Sequence, residues 1–189
     1  MMKYVNSLAL VFLTTPAFAH VGNDSAQHHL TAGFNHPFGG LDHCLAMIAV
    51  GLVAACIGGK ARAGLPTAFL LAMLVGFMFG TTKVVNIPAY EAMIIASVIG
   101  LGLTLLIAKP LPMLAAVTMM SVFGLAHGFA HGVEGVLTSS YTVGFLAATA
   151  ILHGIGLILG FGISKIDKLN LYRISGGGIA LAGLALATM

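Results

Sequence analysis

HPFGGLDHCLAMIAVGLVAACIGGK, residues 36–60, is the stretch whose reading decides the fold. Two histidines and an aspartate stand in its first eight residues, and the sixteen that follow carry no charge before Lys60. Sixteen helical residues rise about 24 Å, most of the roughly 30 Å of a bilayer's hydrocarbon core. The stretch therefore reads as a membrane helix with ionisable side chains at its entrance, an expensive arrangement that usually marks an ion or proton path.

The rest of the chain agrees with that class. Of 189 residues, 59% are hydrophobic and 7% charged, against roughly 25% charged in soluble domains. The formal net charge of +3 comes from Lys and Arg scattered over short connections, which excludes a basic stripe for nucleic acid. No P-loop pattern is present, and the connections are too short to house an ATPase domain.

Residues 1–20, MMKYVNSLALVFLTTPAFAH, combine Lys3, a short apolar core from Leu8 to Leu13 and an Ala17-Phe18-Ala19 ending. That is the pattern of a secretory signal peptide, with cleavage predicted between Ala19 and His20. Residues 1–19 are then the signal, 20–35 a polar tail containing histidines, and 36–189 the membrane domain. Six apolar blocks are expected near Leu41–Gly59, Leu65–Thr82, Ala89–Ala108, Leu111–His131, Thr142–Ile163 and Leu171–Thr188, separated by Gly, Pro and charged punctuation.

A cleaved signal leaves the tail outside, so alternate connections holding Lys60, Arg62, Lys109, Lys165, Lys168 and Arg173 face inward, while the outer ones hold Lys83. The asymmetry follows the positive-inside rule. The expected fold is an all-α polytopic membrane protein, a compact bundle of about six transmembrane helices with both mature termini outside. Most of the 25 glycines lie inside the spans, where small residues let helices approach closely. Tyr90, Tyr141 and Tyr172 fall at predicted span ends, where tyrosine favours the membrane interface.

Cys44 and Cys56 are about 18 Å apart along one helix and cannot bridge each other. Packing is the ordinary role of such thiols, although Cys44 beside His43 could add a soft ligand. The histidines point further. None of the eight falls in an inward connection: His20, His28, His29, His36 and His43 precede or open the first span, His127 and His131 close the fourth, and His153 is within the fifth. The fourth span runs outward, so HGFAHGVE brings His127, His131 and Glu134 to the side of Asp42 and His43, on one helix face. Imidazole nitrogens bind Ni, Zn, Cu and Co, and carboxylates offset the charge of a dehydrated divalent ion. His153 is expected near mid-membrane, below that cluster.

The stretches HPFGGLDHCLAMIAVG, HGFAHGVE and GFLAATAILHGIG resemble the HupE/UreJ family of membrane proteins associated with nickel supply to hydrogenase and urease. The resemblance covers essentially the mature chain. It implies a permease for Ni(II) in a bacterial inner membrane with a periplasmic tail, and functional residues His36, Asp42, His43, His127, His131 and Glu134. The ion is cargo, no resident cofactor is required, and nickel-enzyme maturation proteins are candidate recipients. His153 would pass the ion inward, and His20, His28, His29 and Cys44 would be auxiliary ligands. Nitrogen and carboxylate donors alone leave Co, Zn and Cu open beside Ni. The residues also leave open a membrane-embedded zinc hydrolase recruiting Ser121, and a metal-binding membrane protein that does not transport.

Overall fold

The computed structural model describes residues 26–82, 89–109, 111–166 and 168–188. The signal segment, His20, Tyr4 and Lys83 lie outside them. Among the described residues the chain forms α1 (Ala26–Asn35), a 3-10 turn (His36–Phe38), α2 (Leu41–Ile57), α3 (Ala61–Thr82), α4 (Tyr90–Ile107), α5 (Met113–Glu134), α6 (Ser139–Ile166) and α7 (Lys168–Leu186), with no strand.

Helices α2 to α7 occupy the six expected blocks within a few residues. The breaks between them have local causes. Gly58 and Gly59 take φ of +78° and +54°, values that a residue without Cβ adopts freely, and turn α2 into α3. Pro112 stands at the N-cap of α5, where its missing N–H removes no helical bond. Helices α3, α4, α5 and α6 are each long and apolar enough to cross a membrane, and α1 with α2 makes a fifth candidate bent by 79°. Leu71, Met78, Phe79, Leu114 and Ile158 are exposed on the bundle's outside, as expected of a surface that meets lipid.

Two local expectations give way. Part of the polar tail is the helix α1, whose Leu30, Gly33 and Phe34 form an i, i+3, i+4 stripe; ten residues are too few to register as a membrane block. Tyr141 and Tyr172 are buried at 4% and 0% exposure rather than set at an interface.

Glycine decides which helices touch. A Cβ on Gly76 or Gly80 of α3 would run into the backbone of α5 at Leu125 or Phe129, and one on Gly124, Gly128 or Gly132 of α5 into the α3 backbone at Phe69, Met73 or Phe77. These two helices pack main chain against main chain. Gly51 and Gly156 weld α2 to α6 in the same way, Gly102 and Gly176 weld α4 to α7, and Gly33 and Gly144 weld α1 to α6. The chain order then gathers the starts of α2, α4 and α6, the end of α5 and the 3-10 turn at one end of the bundle. At the other end Arg62 of α3 lies 5.0 Å above the Phe161 ring of α6.

Candidate metal centre

At the first end, four imidazoles from three elements meet. The His36 ring, in the 3-10 turn, lies 4.7 Å from that of His131 and 6.4 Å from that of His43, centre to centre. His43, at the start of α2, lies 5.1 Å from His131 and 4.9 Å from His127. Four residues separate His127 and His131 on α5, so both face inward from one stripe. His131 is stacked on Phe145 of α6, 5.0 Å away with a 9° angle between planes.

The local sequence holds this geometry. Gly40 stands one residue before α2, and a Cβ there would come within 2.5 Å of the Asp42 carboxylate. Without it, Asp42 Oδ1 accepts from the His43 backbone N–H at 2.7 Å and from His43 Nδ1 at 2.9 Å. Such a carboxylate orients an imidazole and raises its basicity toward a metal at the other nitrogen. His36 Nε2 lies 3.3 Å from Glu134 Oε2, and the Tyr90 hydroxyl donates to Glu134 Oε1 at 3.4 Å. His127 Nε2 lies 2.9 Å from the Ser97 hydroxyl of α4.

Burial increases inward. The side chains of Glu134 and His36 are 42% and 23% exposed; His43 is 9% exposed, and His131 and His127 are fully buried. The arrangement is thus a column leading into the bundle rather than one outer layer. It continues past His127: the Phe69 ring of α3 lies 5.5 Å from His127 and 5.1 Å from His153, so both histidines pack on one aromatic ring.

Buried polar atoms normally have hydrogen-bond partners. Here His43 Nε2, His127 Nδ1, both nitrogens of His131 and both of His153 are buried without one, as are the Tyr141 hydroxyl and Thr149 Oγ1. An unmade bond of this kind costs about 1–3 kcal/mol, and an imidazole lone pair so placed can be satisfied by a cation. Among the described residues no three His, Cys, Asp or Glu side chains are already set at metal-binding distances.

The other expected ligands are placed apart. Cys44 donates its thiol hydrogen to the Pro37 carbonyl at 3.3 Å, tying the 3-10 turn to α2. His28 and His29 sit near the start of α1, about 10 Å along the helix from His36. Ser121, the serine that the hydrolase reading would recruit, lines an apolar surface groove with Ala68, Leu71, Ala72, Val75 and Leu125; the serine beside the histidines is Ser97. Sequence reasoning passed over Ser97, Phe69, Tyr90, Tyr141 and Phe145. A signal existed for three of them: Ser97 is a hydroxyl in an apolar run, and Tyr141, Phe145, Thr149 and His153 recur every four residues on α6.

The family model described as "HupE / UreJ protein" matches residues 8–186. Protein HupE of Rhizobium leguminosarum bv. viciae is 42% identical over 189 residues, covering 97% of this chain and 96% of that one. No solved structure matches.

Proposed function

Since the chain belongs to the HupE/UreJ family, we propose that it is an inner-membrane permease that takes up divalent transition-metal ions, Ni(II) foremost. In this reading residues 1–19 are a cleaved signal, α2 to α7 all span the membrane, and both mature termini and the histidine column face the periplasm. The end bearing Lys60, Arg62, Lys109, Lys165 and Arg173 faces the cytoplasm, in keeping with the positive-inside rule.

The observation that carries the reading is the set of buried imidazole nitrogens without partners at one end of the bundle. Structural histidines in a membrane core bond their neighbours; these have buried nitrogens with no protein partner. Glu134, His36 and Asp42 at the rim attract the cation and replace its outer hydration. His43, His131 and His127 supply neutral nitrogen donors below, and each must be unprotonated to bind. His153, packed on the same Phe69 ring as His127, receives the ion next.

Purified protein in proteoliposomes should accumulate Ni(II) supplied as the metal salt, with Co(II), Zn(II) and Cu(II) compared in parallel. His43→Ala and His131→Ala should remove uptake while the protein remains inserted. Uptake unchanged in both variants would take the column out of the mechanism; binding without accumulation by the wild-type protein would favour a metal-holding role instead.

A further inference from the structure

Ser97 is fully buried on α4, two helical turns in from Tyr90, and its hydroxyl has two close partners. Oγ lies 2.6 Å from the Ile94 carbonyl oxygen and 2.9 Å from His127 Nε2. A serine hydroxyl has one hydrogen to give. The carbonyl can only accept, so the hydrogen goes to Ile94, along the shorter contact. Oγ is then left with lone pairs toward Nε2, and the 2.9 Å contact is a hydrogen bond only if Nε2 carries the ring hydrogen. A neutral imidazole has one N–H, so the lone pair of His127 is on Nδ1. That atom is buried and without a partner.

The same reasoning gives the neighbouring ring the opposite tautomer. Asp42 Oδ1 accepts from His43 Nδ1 at 2.9 Å, so the His43 lone pair is on Nε2, which is also buried and without a partner. The two rings meet at 4.9 Å and 81°. One is held by a carboxylate through Nδ1 and the other by a hydroxyl through Nε2.

We propose that Ser97 is a positioning residue of the cargo site: it holds His127 in the Nε2–H tautomer, so that Nδ1 is the nitrogen offered to the metal ion. The tautomer follows from the hydrogen-bond geometry alone, whereas its use by a metal rests on the uptake reading above. Ser97 touches no cargo itself. Its effect reaches the ion through one ring, as the outer hydrogen-bond partners of metal-binding histidines generally act.

Two measurements test this separately. Nitrogen NMR of metal-free, histidine-labelled protein, with His127 assigned by the signal missing in His127→Gln, should show a bare Nδ1 and a protonated Nε2. Ser97→Ala should shift that balance toward the other tautomer, and Ser97→Thr, which keeps the hydroxyl, should restore it. A protonated Nδ1 in the wild-type protein overturns the proposal without recourse to any variant.

The second measurement is Ni(II) binding at equilibrium. Ser97→Ala should weaken it about 10- to 100-fold, the usual cost of losing an outer partner, and Ser97→Thr should recover most of the loss. Asparagine at 127 places its amide oxygen near the position of Nδ1, and glutamine near that of Nε2. His127→Asn should therefore bind Ni(II) at least about tenfold more tightly than His127→Gln; equal or reversed affinities overturn the Nδ1 assignment. A wild-type protein with the expected tautomer but no metal affinity would overturn the uptake reading, and with it the use of Nδ1, while leaving the role of Ser97 on the ring intact.

Discussion

The two ends of the bundle both bury polar side chains, but they treat them differently. At the end bearing the lysines, the Tyr172 hydroxyl donates to the Gly160 carbonyl at 2.8 Å, and Ser164 bonds the same oxygen at 2.9 Å. Tyr172 is fully buried and joins α7 to α6, with its hydrogen placed. At the histidine end, His43, His127 and His131 keep buried nitrogens without partners. A bonded buried group repays its desolvation by holding helices together; an unbonded one weakens the fold and persists where another role retains it. Burial alone does not separate the two ends of this bundle; the unmet nitrogens do.

The contrast breaks most sharply at His131. Replacing it with leucine removes two unpartnered nitrogens from a fully buried position, so His131→Leu should lower Ni(II) uptake by more than about 100-fold. Its thermal unfolding temperature should be unchanged or higher, because an unmet buried group costs about 1–3 kcal/mol. Proteoliposome uptake and thermal unfolding on the same preparation check both halves. A large loss of stability would make His131 structural and erase the distinction between the ends.

Asp42→Asn comes next. Asparagine can keep the bond from the His43 backbone but lacks the charge that makes the ring a stronger ligand. Equilibrium Ni(II) affinity should fall about 10- to 100-fold, with the protein still inserted; wild-type affinity would reduce Asp42 to a helix-start residue.

At His153 the expected effect is on rate. Glutamine retains hydrogen-bonding groups but not the nitrogen ligand, so His153→Gln should slow flux while outer-site affinity stays within about twofold, as for separate sites. Stopped uptake curves and binding isotherms on one variant decide it, and wild-type flux would end the relay assignment. The smallest effect belongs to the opposite end. Tyr172→Phe should cost about 1 kcal/mol in unfolding stability, the net worth of one hydrogen bond, and leave Ni(II) uptake unchanged.

Much of this molecule could be read along the chain. Apolar blocks with few charges located α2 to α7, and a bilayer demands such a long apolar segment whatever that segment packs against. Asp42, His43, His127, His131 and Glu134 stood out because ionisable groups are rare in and beside such blocks, while His36 came in through the family resemblance. Ser97 did not, since a small hydroxyl in an apolar helix is usually unremarkable, and its meaning comes from a histidine thirty residues away on another helix. Tyr172 misled for the converse reason: a tyrosine at a span end is an interface residue until a neighbouring helix covers it. Helix α1 was missed because its ten residues are too short and too polar to register as a membrane block.

By itself, then, the sequence determined the helical membrane class, the positions of the six apolar helices and the presence of histidines at the mouth of two of them. These follow from length, polarity and alternation along one dimension. Only the tertiary structure decided which helices lie together, which nitrogen of His43 and of His127 lacks a partner and that Phe69 packs on both His127 and His153. A helix apolar on every side has no periodic face to announce its partner, so the pairing rests on where glycines let two backbones meet.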